Sequence, residues 1–340
     1  MSRFAKSDTL SLLAFFLIII LIGTMLLSLP AAWSGSGRLP GIDALFTATS
    51  AVCVTGLATV DTAVFTRFGQ IVILVLIQAG GLGIISFTSL MLIVPGRRLS
   101  FRRLRTIKGF SISGVEHDPR RIVRDIVFFT MSVEILGALA LYTVFSGAGV
   151  QESGFKAIFH SVSAFCNAGF SPFPDSLERF SGKPAVLLII SSLIVTGGIG
   201  FIVMQDIAQT LRGKRRTLSY HTRLILISTL ILILSGAAAF WFLEGNNTFA
   251  GMGALDRAVN ALFQSITPRT AGFNAVHQTD LRQSSKFITM IFMFIVGAPG
   301  SIAGVIKLAT AYFVLQVMLQ CGNEQGEMNA VGKQNSQEAN

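Results

Sequence analysis

Ala157-Ile-Phe-His-Ser-Val-Ser-Ala-Phe-Cys-Asn-Ala-Gly169 is a short amphipathic stretch that runs into a glycine-bearing tail, and the chain carries it three times. The other copies are Ala44-Leu-Phe-Thr-Ala-Thr-Ser-Ala-Val-Cys-Val-Thr-Gly56 and Ala261-Leu-Phe-Gln-Ser-Ile-Thr-Pro-Arg-Thr-Ala-Gly272. Each is too short and too rich in hydroxyls to cross a bilayer, which takes about 20 mostly apolar residues in a helix. Each nevertheless lies between segments that are long enough, at about 10–30, 70–94, 122–147, 184–209, 222–243 and 286–319. A half-crossing helix that ends in glycine is the sequence form of a re-entrant pore loop, whose backbone carbonyls face an ion path. The reading is an all-α integral membrane protein of repeated helix–pore loop–helix units around a central pore.

Composition agrees with that class. Mean hydropathy is +0.65, and charged residues make up 13% of the 340-residue chain, about half the share in soluble domains. The net charge of +10 raises nucleic acid as a partner, but its placement excludes it. Arg97, Arg98, Arg102, Arg103, Arg105, Lys108, Arg120, Arg121 and Arg124 form one basic cluster, and Arg212, Lys214, Arg215, Arg216 and Arg223 the other. Both lie between apolar spans, which is the positive-inside pattern of cytoplasmic loops. The run from Leu10 to Leu29 behind Arg3 and Lys6 is too long for a signal peptide core of about 7–15 residues, so it reads as the first span, with a cytoplasmic N-terminus. Membrane lipids are the expected surroundings.

The connections then alternate. Short basic ones lie on one side, and loops 31–69, 148–183 and 244–285, which hold the Phe…Gly copies, lie on the other. The expected organisation is one unit over 1–109, a second over 110–216, a third over 217–320 and a disordered polar tail over 321–340. Three units are seen. The three glycines recur with a period of about 108 residues.

A monovalent cation stripped of water needs neutral replacement oxygens, and backbone carbonyls supply them. Glycine allows the backbone angles that aim successive carbonyls inward. The candidate filter is therefore Val54-Thr55-Gly56, Asn167-Ala168-Gly169 and Thr270-Ala271-Gly272, with a monovalent cation at the carbonyls of the three glycines. Phe46, Phe159 and Phe263 are expected to anchor the short helices in the bundle. Cys53 and Cys166 are expected to pack as small apolar residues behind the loops, without a disulfide.

After each loop comes a small-residue run. In Gln78-Ala-Gly-Gly-Leu-Gly and Val195-Thr-Gly-Gly-Ile-Gly, ordinary close packing accounts for Gly80, Gly81, Gly83, Gly197, Gly198 and Gly200. The third run is different: Gly297, Pro299, Gly300 and Gly304 cannot continue a straight helix. With Ser301 among them and Lys307 just beyond, they read as a broken helix lining the pore, since a break at membrane depth is tolerated only inside protein or against a water-filled cavity.

These residues resemble the Trk/Ktr/HKT superfamily of potassium transporters, and most of all the membrane subunit of bacterial Ktr-type systems. The resemblance rests on Ser50–Leu57, Ser163–Phe170, Thr267-Pro-Arg-Thr-Ala-Gly-Phe-Asn274 and Gly300-Ser-Ile-Ala-Gly-Val-Ile-Lys307. It implies four helix–pore–helix units around one pore, with a fourth filter glycine that the period would put near position 380, so three units of a four-unit scheme are expected here. It implies potassium at the carbonyls of Gly56, Gly169 and Gly272, and the gating role of the Gly297–Lys307 segment below the filter. It also implies a homodimer on a cytoplasmic, nucleotide-binding regulatory subunit. Ile302 and Val305 depart from the small or hydroxyl residues usual in that gate. The expected function is potassium uptake through a gated single-file pore in the bacterial inner membrane, with sodium coupling as a variant. The alternative is a non-conducting remnant or assembly partner of such a transporter. No cofactor is expected on the chain.

Glu134 lies mid-span, where an acid is either functional or paired to a neighbouring helix. Arg269 reads as a structural or gating pair, and His160 as a packing or hydrogen-bonding residue. No HExxH motif, nucleophile–base pattern or phosphate loop appears, so the chain does not read as an enzyme.

Overall fold

The computed structural model describes residues 3–93, 119–213, 216–296 and 306–307. In chain order the helices are α1 (Arg3–Leu27), α2 (Gly41–Val52), α3 (Arg67–Ile93), α4 (Pro119–Gly147), α5 (Ser153–Phe165), α6 (Pro184–Ile199), α7 (Phe201–Leu211), α8 (Tyr220–Glu244), α9 (Ala254–Ile266) and α10 (Gln283–Phe294). The remaining regular structure is a two-residue parallel pairing of β1 (Ile295–Val296) with β2 (Ile306–Lys307).

Long helices alternate with short ones, as the hydropathy pattern predicts. Among the described residues, α3, α4 and α8 are long and apolar enough to cross a membrane, and the bent pair α6–α7 makes a fourth crossing if taken as one span. Their outward faces expose large apolar side chains, such as Phe128, Leu136 and Leu139 on α4 and Ile227, Leu230 and Ile231 on α8. Local chemistry sets the ends. Pro30 follows closely on the end of α1. Pro184 occupies the first turn of α6, where a missing N–H costs nothing. Ser219 caps α8 by accepting from the Thr222 N–H, and Asp206 of α7 accepts from the Ser219 N–H at 2.9 Å.

The fourth predicted span is not straight. α6 and α7 meet at 98°, and the break falls at Gly200 (φ +88°, ψ +153°), a backbone region that is essentially glycine's own. Close packing therefore describes Gly197 but not Gly200, which is a corner.

Buried apolar residues gather into three principal clusters, and the first two each borrow from the next short helix. The first joins α1, α2 and α3 with Phe159, Val162 and Phe165 of α5. The second joins α4, α5 and α6 with Val259, Phe263 and Ile266 of α9. The third holds Phe240, Phe249, Ala261 and Phe292. Phe159 and Phe263 are thus the expected anchors, at 0% exposure each, but Phe46 of α2 is 38% exposed. The reason is positional: Phe159 and Phe263 insert into the core of the preceding unit, and none of the described residues precedes the first.

The loop side of the third unit is tied by one acid. Glu244, fully buried at the end of α8, accepts from Asn247 Nδ2 (2.6 Å), Thr248 Oγ1 (3.0 Å) and the Arg282 N–H that opens α10 (2.9 Å). Glu244→Ala takes the acceptor from all three donors, of which Asn247 Nδ2 keeps the Asp280 carbonyl, for an expected cost of about 3 kcal/mol. Thermal unfolding in detergent checks this, with Glu244→Gln expected to lose less than half as much.

Candidate functional site

The three short helices end in the same backbone device. Val54, Asn167 and Thr270 have φ of +56°, +55° and +71°, and Gly56, Gly169 and Gly272 have φ of +72°, +70° and +76°. Left-handed backbone thus recurs two residues before, and at, each glycine. For β-branched Val54 and Thr270 this is a costly conformation, about 1–3 kcal/mol, which persists only where surroundings impose it.

Hydrogen bonds impose it. In the first copy the Thr55 N–H donates to Ser50 O (3.0 Å) and the Val54 N–H to Ala51 O (3.3 Å). In the second, the Ala168 N–H donates to Ser163 O (2.7 Å) and the Asn167 N–H to Ala164 O (3.1 Å). Both are Schellman caps whose left-handed position is filled by a residue other than glycine. In the third, the Ala271 N–H donates to Thr267 O (3.0 Å). Ser50, Ser163 and Thr267 are therefore equivalent. Each stands four residues after its Phe, so the residue missing from the third copy is lost beyond Thr267, in the turn that holds Pro268.

The hydroxyls of these three residues were not visible as functional from composition. Ser163 Oγ donates to Phe170 O (2.8 Å) and Thr267 Oγ1 to Phe273 O (2.6 Å), each clamping the residue after its glycine. Ser50 Oγ instead accepts from Thr55 Oγ1 at 2.9 Å. The sequence signal was present: a hydroxyl residue recurs at one place in every copy.

The three tails lie side by side. A Cβ added at Gly56 would stand 2.6 Å from Ala168 O, and one at Gly169 would stand 2.7 Å from Ala271 O and 3.1 Å from Gly272 Cα. The first tail abuts the second, and the second abuts the third. Behind them, Gly80 and Gly197 let α3 and α6 close on the carbonyls of Val52 and Phe165, the last residues of α2 and α5. Cys166 is buried behind its loop as expected, whereas Cys53 is exposed, because no neighbouring element among the described residues covers that side of α2; both thiols are free.

His160 is a packed residue. It lies among Phe145, Phe173 and Phe273, with Nδ1 2.7 Å from Lys156 O and Nε2 2.9 Å from Ser171 Oγ. Nδ1 carries the proton, since it faces a carbonyl, and Nε2 accepts. Arg269 is 9% exposed and lines a small cavity with Ile194, Gly198, Ile199 and Thr229. Among the described residues no carboxylate pairs with it, so the pair expected for it is not found there. Of the candidate gating loop, Gly297, Pro299, Gly300, Ser301 and Gly304 lie outside the described residues. Lys307 is described through its backbone, which pairs with Val296 just past the end of α10. Among the described residues, no group of three or more His, Cys, Asp or Glu is placed to hold a metal.

The chain has relatives. A family model described as TrkH, cation transport protein, matches residues 2–338. The chain belongs to the TrkH family of cation transport proteins. Members of that family are ion transporters and not enzymes, as the absence of catalytic motifs predicts. The chain is 40% identical to Ktr system potassium uptake protein B of Bacillus subtilis over 317 residues, 92% of this chain and 70% of that protein. It is also 40% identical to the protein of the same name from Vibrio alginolyticus, over 87% of this chain and 65% of that one. The crystal structure of the potassium transporter TrkH from Vibrio parahaemolyticus shares the fold, with a TM-score of 0.67 at 21% identity, over 90% of this chain and 62% of that one. The chain thus spans about two thirds of the length of these TrkH-family relatives.

Proposed function

We propose that this TrkH-family chain takes up potassium through a single-file pore, with a filter made of backbone at Val54–Gly56, Asn167–Gly169 and Thr270–Gly272. One observation carries the reading: left-handed backbone two residues apart, three times over, in tails that abut one another. Reversing handedness at alternate residues turns successive carbonyls toward one side, where an extended strand would alternate them. Such a row is what a dehydrated monovalent cation needs. The C-termini of α2, α5 and α9 lead directly into these tails, and their negative dipole ends favour a cation there. The potassium-uptake relatives support the choice of ion, with sodium coupling as the variant.

The remaining parts of the proposal follow from charge and resemblance. The basic connections put the N-terminus in the cytoplasm of a bacterial cell, with the spans in the inner membrane and lipid on their apolar faces. Gly297, Pro299, Gly300, Ser301, Gly304 and Lys307 serve as the gate below the filter. The assembly is a homodimer with a nucleotide-binding regulatory subunit.

A second reading is favoured by Phe46. Its counterparts are fully buried in the unit before them, yet it is 38% exposed among the described residues. The three units then form an arc completed by a further helix–pore–helix unit, and they conduct only together with it. Growth of potassium-uptake-deficient cells at low potassium separates the readings. Rescue by this chain alone supports the first. Rescue only when a fourth unit is co-expressed or appended supports the second. Rescue that survives Gly272→Asp sinks the filter assignment in either case.

A further inference from the structure

The second and third units share one support and differ in another. Ser161 of α5 donates to the carbonyl of Glu134 on α4 (2.7 Å), and Ser265 of α9 donates to the carbonyl of Ile233 on α8 (2.9 Å). Three residues on, Gly137 and Gly236 are the places where an added Cβ would strike the same two serines. Glu134 and Ile233 therefore hold one place in consecutive units. Packing a long helix on a short one accepts an apolar side chain at that place, so the acid is not required by the fold.

Its carboxyl has its own partners. Glu134 Oε2 accepts from Gln78 Nε2 at 3.0 Å, and Oε1 accepts from the Cys166 thiol at 3.9 Å. Gln78 stands on α3 two residues before Gly80, where α3 closes on the end of α2. Cys166 is the C-cap of α5, one residue before Asn167. A single carboxyl, 3% exposed in the middle of a span, is thus bonded to the supports of two neighbouring tails. Both partners are neutral donors, and Gln78 Oε1 is left without a donor of its own. Polar groups at this depth persist where they bond to one another across helices.

We propose that Glu134 is a positioning residue for the ion path, joining α3 to the cap of α5 and so fixing the first and second filter segments relative to each other. The inference rests on the filter reading above. What Glu134 supplies is a pair of fixed acceptors between two neutral donors; Glu134→Gln keeps the acceptor facing Gln78 and replaces the other with an NH2 group. The amide oxygen still accepts from Gln78 Nε2, and the NH2, in place of Oε1, donates to the Cys166 sulfur and to the unfilled Gln78 Oε1, so α3 and the α5 cap stay joined. Glu134→Ala removes both ties.

The test uses the full chain in membranes with Cys53→Ser and Cys321→Ser, which leaves Cys166 as its one thiol. Two readouts are taken: the rate of maleimide labelling of Cys166, and the preference for potassium over sodium in uptake. Glu134→Ala is expected to raise labelling about tenfold, because the cap opens locally. It is also expected to lower the ion preference about fivefold, because the segments shift. Glu134→Gln is expected to stay within about twofold of the parent on both, since opening and register are unchanged. Should Glu134→Ala fail to accumulate, Gln78→Leu cuts one tie and is expected to move both readouts in the same direction. Parental labelling and preference in Glu134→Ala, or in Gln78→Leu where that variant stands in, overturn the proposal, as does Glu134→Gln behaving like Glu134→Ala. Gly169→Ala is run alongside. Uptake intact in that variant defeats the filter reading itself. Uptake lost there, with Glu134→Ala unchanged from the parent, defeats only the positioning role.

Discussion

Gly169→Ala is expected to cut cation movement about a hundredfold while leaving the chain folded. Two costs meet at this residue. Its φ of +70° is disfavoured by about 1–2 kcal/mol once a Cβ is present. The Cβ would also lie 2.7 Å from Ala271 O and 3.1 Å from Gly272 Cα, which are backbone atoms with no rotamer to escape into. The second and third tails must therefore part. A misplacement of about 1 Å at a positioned site costs about a hundredfold in rate, and that is the loss expected in potassium or rubidium uptake per folded molecule. Gly149→Ala is the matched control. It has the same φ of +70°, and nothing lies within 4 Å of its added Cβ. It bears the backbone cost alone, so uptake per folded molecule stays at the parent level. If the two variants transport equally, the adjoining tails are not the conduction path.

The second large effect is on stability. Gly197→Ala is expected to lower the unfolding temperature steeply, and Gly198→Ala is not. Both sit within α6, and both gain helix propensity, about 1 kcal/mol for replacing glycine. They differ in what the methyl meets. At Gly197 it collides with the Phe165 carbonyl, whose carbon is 3.0 Å away, and Phe165 is held at the end of α5 by the cap that shapes the second tail. At Gly198 it makes an ordinary 3.6 Å contact with the Asn167 amide. Overpacking against fixed backbone costs about 3 kcal/mol, so Gly197→Ala is expected to fall well below Gly198→Ala in thermal scans. The same collision is expected at Gly80 against Val52, making Gly80→Ala a second measurement of the contact. Equal stability of the Gly197 and Gly198 variants would show that α6 does not close on the short helix.

Much of this architecture was legible in the chain. Hydropathy alone located the spans of α3, α4 and α8, because a helix in lipid must be apolar for its whole crossing, while most of the expected 286–319 span lies outside the described residues. The three amphipathic stretches fell between them as short helices. Other features were legible only as residue types without a role. Ser50, Ser163 and Thr267 recur at one place in each copy, yet nothing in the letters says that their carbonyls take the N–H groups that force the left-handed turns. Gly197 and Gly200 read alike, three residues apart. One is a contact surface and the other a corner of 98°, and the difference lies in which neighbouring atoms approach each. Phe46, Phe159 and Phe263 also read alike, and their burial diverges because each depends on the unit before it.

By itself, the sequence determined the class, the count of repeats and the positions of the three glycine-ended stretches. Those follow from local quantities: apolar length, the placement of charge, and the conformational freedom of glycine. Only the tertiary structure decided how the stretches meet. It brought Gly56 against Ala168 and Gly169 against Ala271, and it joined Glu134 to Gln78 and Cys166 across two units. These contacts link residues far apart in the chain. Their energies depend on distances of a few tenths of an ångström, which no local pattern encodes and only close packing sets.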